Sequence, residues 1–396
     1  MKSLEPLTIR PGASRSRGPS DLGIVMTGGG ARAAYQVGFL HVLAEQFPDL
    51  TAGILTGVSA GAVNAAYLAC QQGCFKCKVD SLTALWRDLR IDHVFKVDPH
   101  SLTTRVFRWG LRLLSGGAPS APHVKSLVDT APLEMLLERV LGAENGELPG
   151  IRRNLEAGAL RAIALTASSY TRGNSVTWVQ GADIPTWRRP LYASFNCALT
   201  VRHVMASSAL PFLFPAVEID GAWYGDGGVR LTAPLSPAIH LGARQIIAIS
   251  TRSAPGLGGL QRNDPGVYPP PAVVAGALFD AIFLDQLDAD AERTISINKL
   301  IAKLPERERD GLRHIDLLVL RPSQDLGVLA NEFEAKLPQT FRFLTRGLGT
   351  QETRRNHMLS LMMFQEDYLE RLLELGEADA RARTEEIRLF LSDRAD

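Results

Sequence analysis

Leu22-Gly23-Ile24-Val25-Met26-Thr27-Gly28-Gly29-Gly30 and, further along, Ala52-Gly53-Ile54-Leu55-Thr56-Gly57-Val58-Ser59-Ala60-Gly61 share one pattern: a short apolar run that stops in glycines and small polar residues. Each reads as a buried strand entering a tight turn. Between them Tyr35, Phe39, Leu40 and Leu43 recur at helical spacing over residues 33–46, and a small-residue helix follows Gly61. Strand, helix, strand, helix in close succession calls for parallel pairing in an α/β sheet, because neighbouring parallel strands need a crossover between them.

Further out, residues 160–167, 176–179, 217–219 and 245–250 are strand candidates, separated by helical or irregular stretches through 80–158 and 187–215. The Gly- and Pro-rich stretch 253–272 marks an internal boundary. Beyond it the pattern is mostly helical, with one apolar run, Ile315-Asp316-Leu317-Leu318-Val319-Leu320, that can join the same sheet. From Glu366 onward a highly charged stretch with periodic leucines reads as a surface helix pair. The expected organisation is a flexible basic tail over 1–20, a catalytic α/β domain over 21–252, a linker over 253–272 and a helical extension over 273–396.

Composition narrows the function. Of 396 residues 45% are hydrophobic, enough for a substantial core, which excludes wholesale disorder. Forty-three basic against 42 acidic residues leave a formal charge of +1, which gives no general pull toward nucleic acid. The longest apolar stretches, such as residues 271–284 with Asp280 inside, are too short to span a bilayer. Residues 1–20 are polar and basic with no apolar signal region. Four cysteines make no disulfide framework, so a reducing, cytoplasmic setting is expected, with Cys70, Cys74, Cys77 and Cys197 as ordinary thiols and no metal bound.

Gly57-Val58-Ser59-Ala60-Gly61 falls on a strand–helix junction. A serine there presents its hydroxyl on a sharp turn, Gly57 and Gly61 let strand and helix approach, and the helix start offers N–H groups to a developing anion. The plainer reading is a glycine-rich tight turn. Gly28-Gly29-Gly30-Ala31-Arg32-Ala33 stands at the other junction. As Gly28-x-Gly30-x-x-Ala33 it fits a dinucleotide fingerprint, which requires an acidic residue at the end of the second strand. That strand runs instead into Thr56-Gly57-Val58-Ser59, with Asp49 ahead of it, so the nucleotide reading fails and no cofactor is expected. In the other reading the glycine amides form an oxyanion hole, with Arg32 adding positive charge beside it.

A nucleophilic serine needs a base. His41, His93, His100, His123, His203, His240, His314 and His357 all lack an inviting placement, although His203 and His240 are the hardest to set aside. Trp223-Tyr224-Gly225-Asp226-Gly227-Gly228 instead places a carboxylate in a glycine-bounded loop after the strand near 217–219. Held against Ser59 in a site that excludes water, Asp226 could take the hydroxyl proton directly. The plainer reading is an Asp-Gly hairpin turn.

Glycine-rich loop, G-x-S-x-G and late Asp-Gly-Gly, in that order, together with Ala209-Leu210-Pro211-Phe212-Leu213-Phe214-Pro215 and Asp220-Gly221, resemble the patatin-like phospholipases over residues 22–252. The resemblance implies a three-layer α/β/α core with a mostly parallel sheet. It also implies Ser59 as nucleophile, Asp226 (followed by Gly227 and Gly228) as base, and backbone amides near Gly28, Gly29, Gly30, Ala31 and Arg32 as the oxyanion hole. The implied activity is hydrolysis of lipid acyl esters through an acyl-enzyme, with no metal or cofactor. Two positions depart from the family pattern. Ala33 replaces a final glycine, and Thr232-Ala233-Pro234 stands where the family commonly has asparagine before proline, so support of the aspartate loop is expected to differ.

Substrate access suggests one more element. On a helix over Ser101–Leu114, Arg105, Arg108 and Arg112 share one arc while Leu102, Val106, Trp109 and Leu113 share another, which suits a peripheral membrane contact. A helix docked on the protein's own core would show the same pattern. The Arg188-Arg189 pair reads as a solvated face. Rival functions are a thioesterase or histidine-dependent serine esterase, and a lipid-binding, membrane-associated regulator with weak catalysis.

Overall fold

A computed structural model of the protein describes residues 20–96, 126–253, 286–337 and 356–392, with isolated positions between 274 and 282. The expected basic tail (except Ser20), the Ser101–Leu114 helix and nearly all of the 253–272 linker lie outside the described residues.

The centre is a ten-stranded sheet. Its strands are β1 Leu22–Met26, β2 Ile54–Val58, β3 Ala162–Ser169, β4 Asn174–Gly181, β5 Arg188–Arg189, β6 Tyr192–Asn196, β7 Val217–Ile219, β8 Ala222–Asp226, β9 Gln245–Ile249 and β10 Asp316–Leu320. The order is β10-β9-β1-β2-β3-β4-β6-β5, with β8 paired to β3 and β7 to β8. From β10 to β3 every neighbour is parallel. Strands β1, β2 and β9 are buried throughout, as strands covered on both faces must be.

Alternate residues feed two cores. Ile24, Met26 and Leu55 pack toward helices α1 (Ala33–Gln46), α2 (Ala60–Cys70) and α3 (Phe75–Arg87). Val25 and Ile54 point the other way, toward Leu235 and Ala238 and toward Leu287 and Ala291 of helix Gln286–Ile301. The result is the expected three-layer arrangement with a mostly parallel sheet. The apolar run after 314 does join it, because β10 lies parallel to β9.

The charged C-terminal stretch forms the expected pair of helices, Glu366–Ala382 and Thr384–Ser392, with the leucine side of the first turned inward. Helix Glu366–Ala382 buries Tyr368, Leu369, Leu372 and Leu373 completely and covers the outer side of α1. Two glycines allow that approach. A methyl on Gly38 would stand 2.1 Å from the Leu373 carbonyl oxygen, and one on Gly376 2.2 Å from that of Tyr35. The hydrophobicity of α1 on all sides now has its reason, since it is covered all round.

Two further readings need correction. Asp226 does not sit in a loop: it ends strand β8, which the sequence reading left out. The Asp-Gly hairpin turn lies one strand earlier, at Asp220-Gly221, where φ is 50° and 73° and Ile219 faces Ala222 across the turn. The cysteines are not all free thiols either. Cys74 caps α3 and Cys77 lies one turn on, with Cα atoms 5.2 Å apart, and the two form a disulfide. Cys70 and Cys197 remain free, and burial pushes their thiols up to about 12 and about 11. Among the described residues no helix is long and apolar enough to cross a membrane.

Candidate active site

Ser59 follows β2 directly and precedes α2. Its backbone is held at φ 56° and ψ −132°, a conformation an L-residue keeps only when its surroundings enforce it. The surroundings are visible. A methyl on Gly57 would lie 2.3 Å from the Gly61 carbonyl oxygen, and one on Gly61 2.3 Å from that of Met26, so neither glycine tolerates a side chain. The Ser59 N–H donates to Ser207 Oγ at 3.1 Å, and Ser207 Oγ in turn donates to the Thr166 carbonyl at 2.6 Å. Ser208 Oγ donates to the Ser59 carbonyl at 3.0 Å. The turn is thus fastened at the peptide groups on both sides of the Ser59 Cα.

The register explains why Asp226 arrives here. On one edge of β3, residues Ala162–Thr166 pair with parallel β2, and Ala167–Ser169 pair with antiparallel β8. Strands β2 and β8 therefore run head to head along that edge. Val58 faces Thr166 and Asp226 faces Ala167, so the residue after Val58 meets the last residue of β8. Gly227 allows the junction to close: a methyl there would stand 2.1 Å from the Thr166 carbonyl oxygen and 2.6 Å from Val58 Cγ2.

Asp226 is fully buried, and its Oδ1 accepts the Gly228 N–H at 2.8 Å. Oδ2 forms no hydrogen bond among the described residues. Burial raises the carboxyl to about 7, while the Ser59 side chain and the Gly228 N–H favour its charged form. Such a carboxyl is basic enough to accept a proton near neutral pH.

The glycine loop follows β1, the strand parallel to β2, and so lies beside Ser59. A methyl on Gly28 would touch Ser59 Cβ at 3.0 Å. Thr251, just after β9, donates its hydroxyl to the Gly28 carbonyl at 2.6 Å. A trans peptide is planar, so fixing that carbonyl turns the Gly29 N–H to the opposite side. Gly29 and Gly30 precede a helical turn, and such N–H groups have no earlier carbonyl to bond. Arg32 keeps its backbone in the loop, its N–H on the Gly29 carbonyl at 3.0 Å, but its charge is committed elsewhere. Nε donates to Ser360 Oγ at 2.6 Å and Nη2 to the His357 carbonyl at 3.1 Å, both in helix His357–Met362. A methyl on Gly30 would lie 2.1 Å from the Leu361 carbonyl oxygen, so the same helix seats directly on the loop.

Above Ser59 opens an apolar cavity of about 720 Å³, its mouth included. Ser59, Ser208 and Gly30 stand at one end of it. Trp86 and Leu89 at the end of α3, Leu136 and Leu137 of helix Ala131–Val140, and Leu361 and Phe364 from the C-terminal region form walls. A serine on a strained turn lines a pocket that has no charged residue among its described lining, with a carboxyl raised by burial next to the serine. This arrangement suits an apolar chain ending in a carbonyl.

No histidine among the described residues lines the cavity. His203 is buried at the start of helix Val201–Ser207, where Nδ1 accepts the Thr200 N–H at 3.1 Å, and burial lowers it to about 4. His240 lies on the other face of the sheet, stacked on Trp187. His41 binds Glu377 and His357 binds Arg32. His100 and His123 lie outside the described residues. The sequence reading missed Ser207, Ser208, Thr251 and the C-terminal wall. For the two serines the only local signal is a pair of small hydroxyls beside Ala206 and Ala209, and for Thr251 there is none. Thr232 does find support of its own, a hydrogen bond with the Tyr192 hydroxyl.

Comparison with the curated proteins finds no sequence match. Among solved structures, human GIVD cytosolic phospholipase A2 is similar at 14% identity and a TM-score of 0.47, covering 94% of this chain and 60% of that one. VipD from Legionella pneumophila follows at 13% identity and a TM-score of 0.30, covering 89% and 66%. ExoU from Pseudomonas aeruginosa, in complex with SpcU, gives 15% identity and a TM-score of 0.26, covering 93% and 78%. The chain spans less than two thirds of the human enzyme and of VipD. The family model for patatin-like phospholipases matches residues 24–239, more than half the chain and the whole stretch from the glycine loop past Asp226, and the protein belongs to that family.

Proposed function

We propose that this protein hydrolyses acyl esters of phospholipids or lysophospholipids through a Ser59–Asp226 dyad. Family membership supports a lipid hydrolase. The observation that carries the finer reading is the head-to-head meeting of β2 and β8, which sets Ser59 beside a buried carboxyl at the end of an apolar cavity. Ser59 Oγ attacks the ester carbonyl carbon as its proton passes to Asp226. The carbonyl oxygen becomes an oxyanion facing the Gly29 and Gly30 amides. The tetrahedral intermediate collapses, the C–O bond to the alcohol breaks, and Asp226 returns the proton to the leaving oxygen. Water then attacks the acyl-Ser59 ester, again giving its proton to Asp226, which restores it to Ser59 as the fatty acid departs. The enclosed position serves the weak base, because little water competes for its charge.

A fluorophosphonate probe and a lysophospholipid hydrolysis assay test this on purified protein. Labelling in wild type that disappears in Ser59→Ala, with loss of at least ~10³-fold in turnover, is the expected result. Undiminished hydrolysis by Ser59→Ala rejects the nucleophile. The histidine-dependent alternative draws no support from the described histidines, each of which is occupied elsewhere.

A further inference from the structure

A second cavity, of about 610 Å³ with its mouth, opens on the opposite face of the sheet from the acyl cavity. Along β4, Val176 and Trp178 pack toward α1 and α2, whereas Ser175 and Thr177 turn to the other side and line this second space. Its character is different. Arg189, His240 and Arg293 line it together with Ser175, Tyr192 and Ser236, and no lining residue among those described is acidic. Arg293 shares the carboxylate of Asp290 at 3.5 Å, but that carboxylate also accepts the Leu235 N–H at 2.9 Å. Arg189 has no carboxylate partner among the described residues. At the buried end the Ser175 hydroxyl, in a residue only 2% exposed, forms no hydrogen bond among the described residues. A buried hydroxyl without a partner is costly in a finished core and ordinary in a site that awaits a ligand.

We propose that this cavity binds a small ligand through a phosphate-type oxyanion, held by Arg189 and Arg293 at the mouth and by Ser175 at the floor. Arginine suits the role because its planar fork matches a phosphate bidentately. Burial holds the His240 imidazole below its ordinary range, the Ser236 carbonyl works against that, and the charges of Arg189 and Arg313 add to the lowering, so their positive charge reaches into the pocket. Trp187, stacked on His240 with ring centroids 4.5 Å apart, gives the pocket a flat wall. The wall opposite includes Leu231, Thr232 and Ala233, which continue the turn begun at Asp226. Arg188-Arg189 is therefore more than a solvated pair: its second member, on the edge strand β5, faces a cavity. The phosphate could belong to a free solute or to a lipid headgroup.

Calorimetric titration of the full chain, at low ionic strength, with inorganic phosphate in one arm and phosphatidic acid vesicles in the other, tests the site. Saturable phosphate binding that Arg189→Gln weakens at least ~10-fold assigns the ligand to solution. Vesicle binding with the same dependence, in the absence of phosphate binding, assigns it to a headgroup. Binding in neither arm, or binding that Arg189→Gln leaves unchanged, overturns the proposal. If Arg189→Gln fails to fold, Ser175→Ala carries the same comparison. The inference stands apart from the acyl-hydrolase reading, because Ser59→Ala is expected to bind phosphate as wild type does.

Discussion

In the proposed dyad the Asp226 carboxyl has two opposed demands on it. Its folded-state value of about 7 lies above the ordinary 3.8, so between these values the folded protein holds a proton that the unfolded chain releases. Stability from this group is therefore lost as pH rises from 3.8 toward 7, and stays lost above. The proposed dyad needs the opposite state, so kcat/KM for an uncharged ester is expected to rise up to ~10-fold per pH unit below about 7 and to level off above it. Asp226→Asn separates the two. It removes turnover yet raises Tm at pH 8 by about 2 °C or more, since no charge is then buried. A pH-independent rate in wild type, or a lower Tm in the variant, contradicts this account. Thr251 acts one step removed, through the Gly28 carbonyl. Thr251→Val is expected to lower kcat by ~10–100-fold with KM little changed, and Thr251→Ser to restore it. Equal losses in both variants mean that the hydroxyl is not what positions the loop. Ser59 and Asp226 were legible in the sequence because glycines mark sharp turns wherever they stand. Thr251, Ser207 and Ser208 were not, because an ordinary hydroxyl gains its meaning only from a carbonyl or amide far away in the chain.

Among the elements, the short helix His357–Met362 has the largest effect for its size. It seats on Gly30, holds the Arg32 charge and, with Phe364 beyond it, forms a wall of the apolar cavity above Ser59. Leu361→Trp is expected to shorten the cavity, lowering hydrolysis of long-chain esters at least ~10-fold relative to short-chain ones. An unaltered chain-length profile, measured on a series of acyl esters, removes the helix from substrate selection. None of this was visible beforehand, since the segment's own composition says only that it is helical. The strands divide in the same way. Strands β1, β2, β3 and β9 announce themselves as continuous apolar runs, while β5, β6 and β8 are short, partly exposed and rich in polar or aromatic residues, so their pairing is decided by the sheet they join.

At the scale of the molecule, the parallel order of the sheet followed from the first two strand–turn–helix units. The apolar run of β10 was legible as a further strand of that sheet, but the closure of the C-terminal region over α1 was not, because a Gly- and Pro-rich stretch looks like a boundary whether or not the chain returns to the same core. It does return. Strand β10 extends the sheet, and helix Glu366–Ala382 closes over α1. Urea unfolding is accordingly expected to be a single transition in which near- and far-ultraviolet circular dichroism coincide. Two resolved transitions would show that the C-terminal region unfolds independently.

The junction of β2 with β8, and the helix that settles on Gly30, also bear on the timing of biosynthesis. A ribosome releases Ser59 early, but its carboxyl partner comes much later and the wall beside the glycine loop later still. An acyl hydrolase of the proposed kind has no assembled site until both of these later pieces have been made.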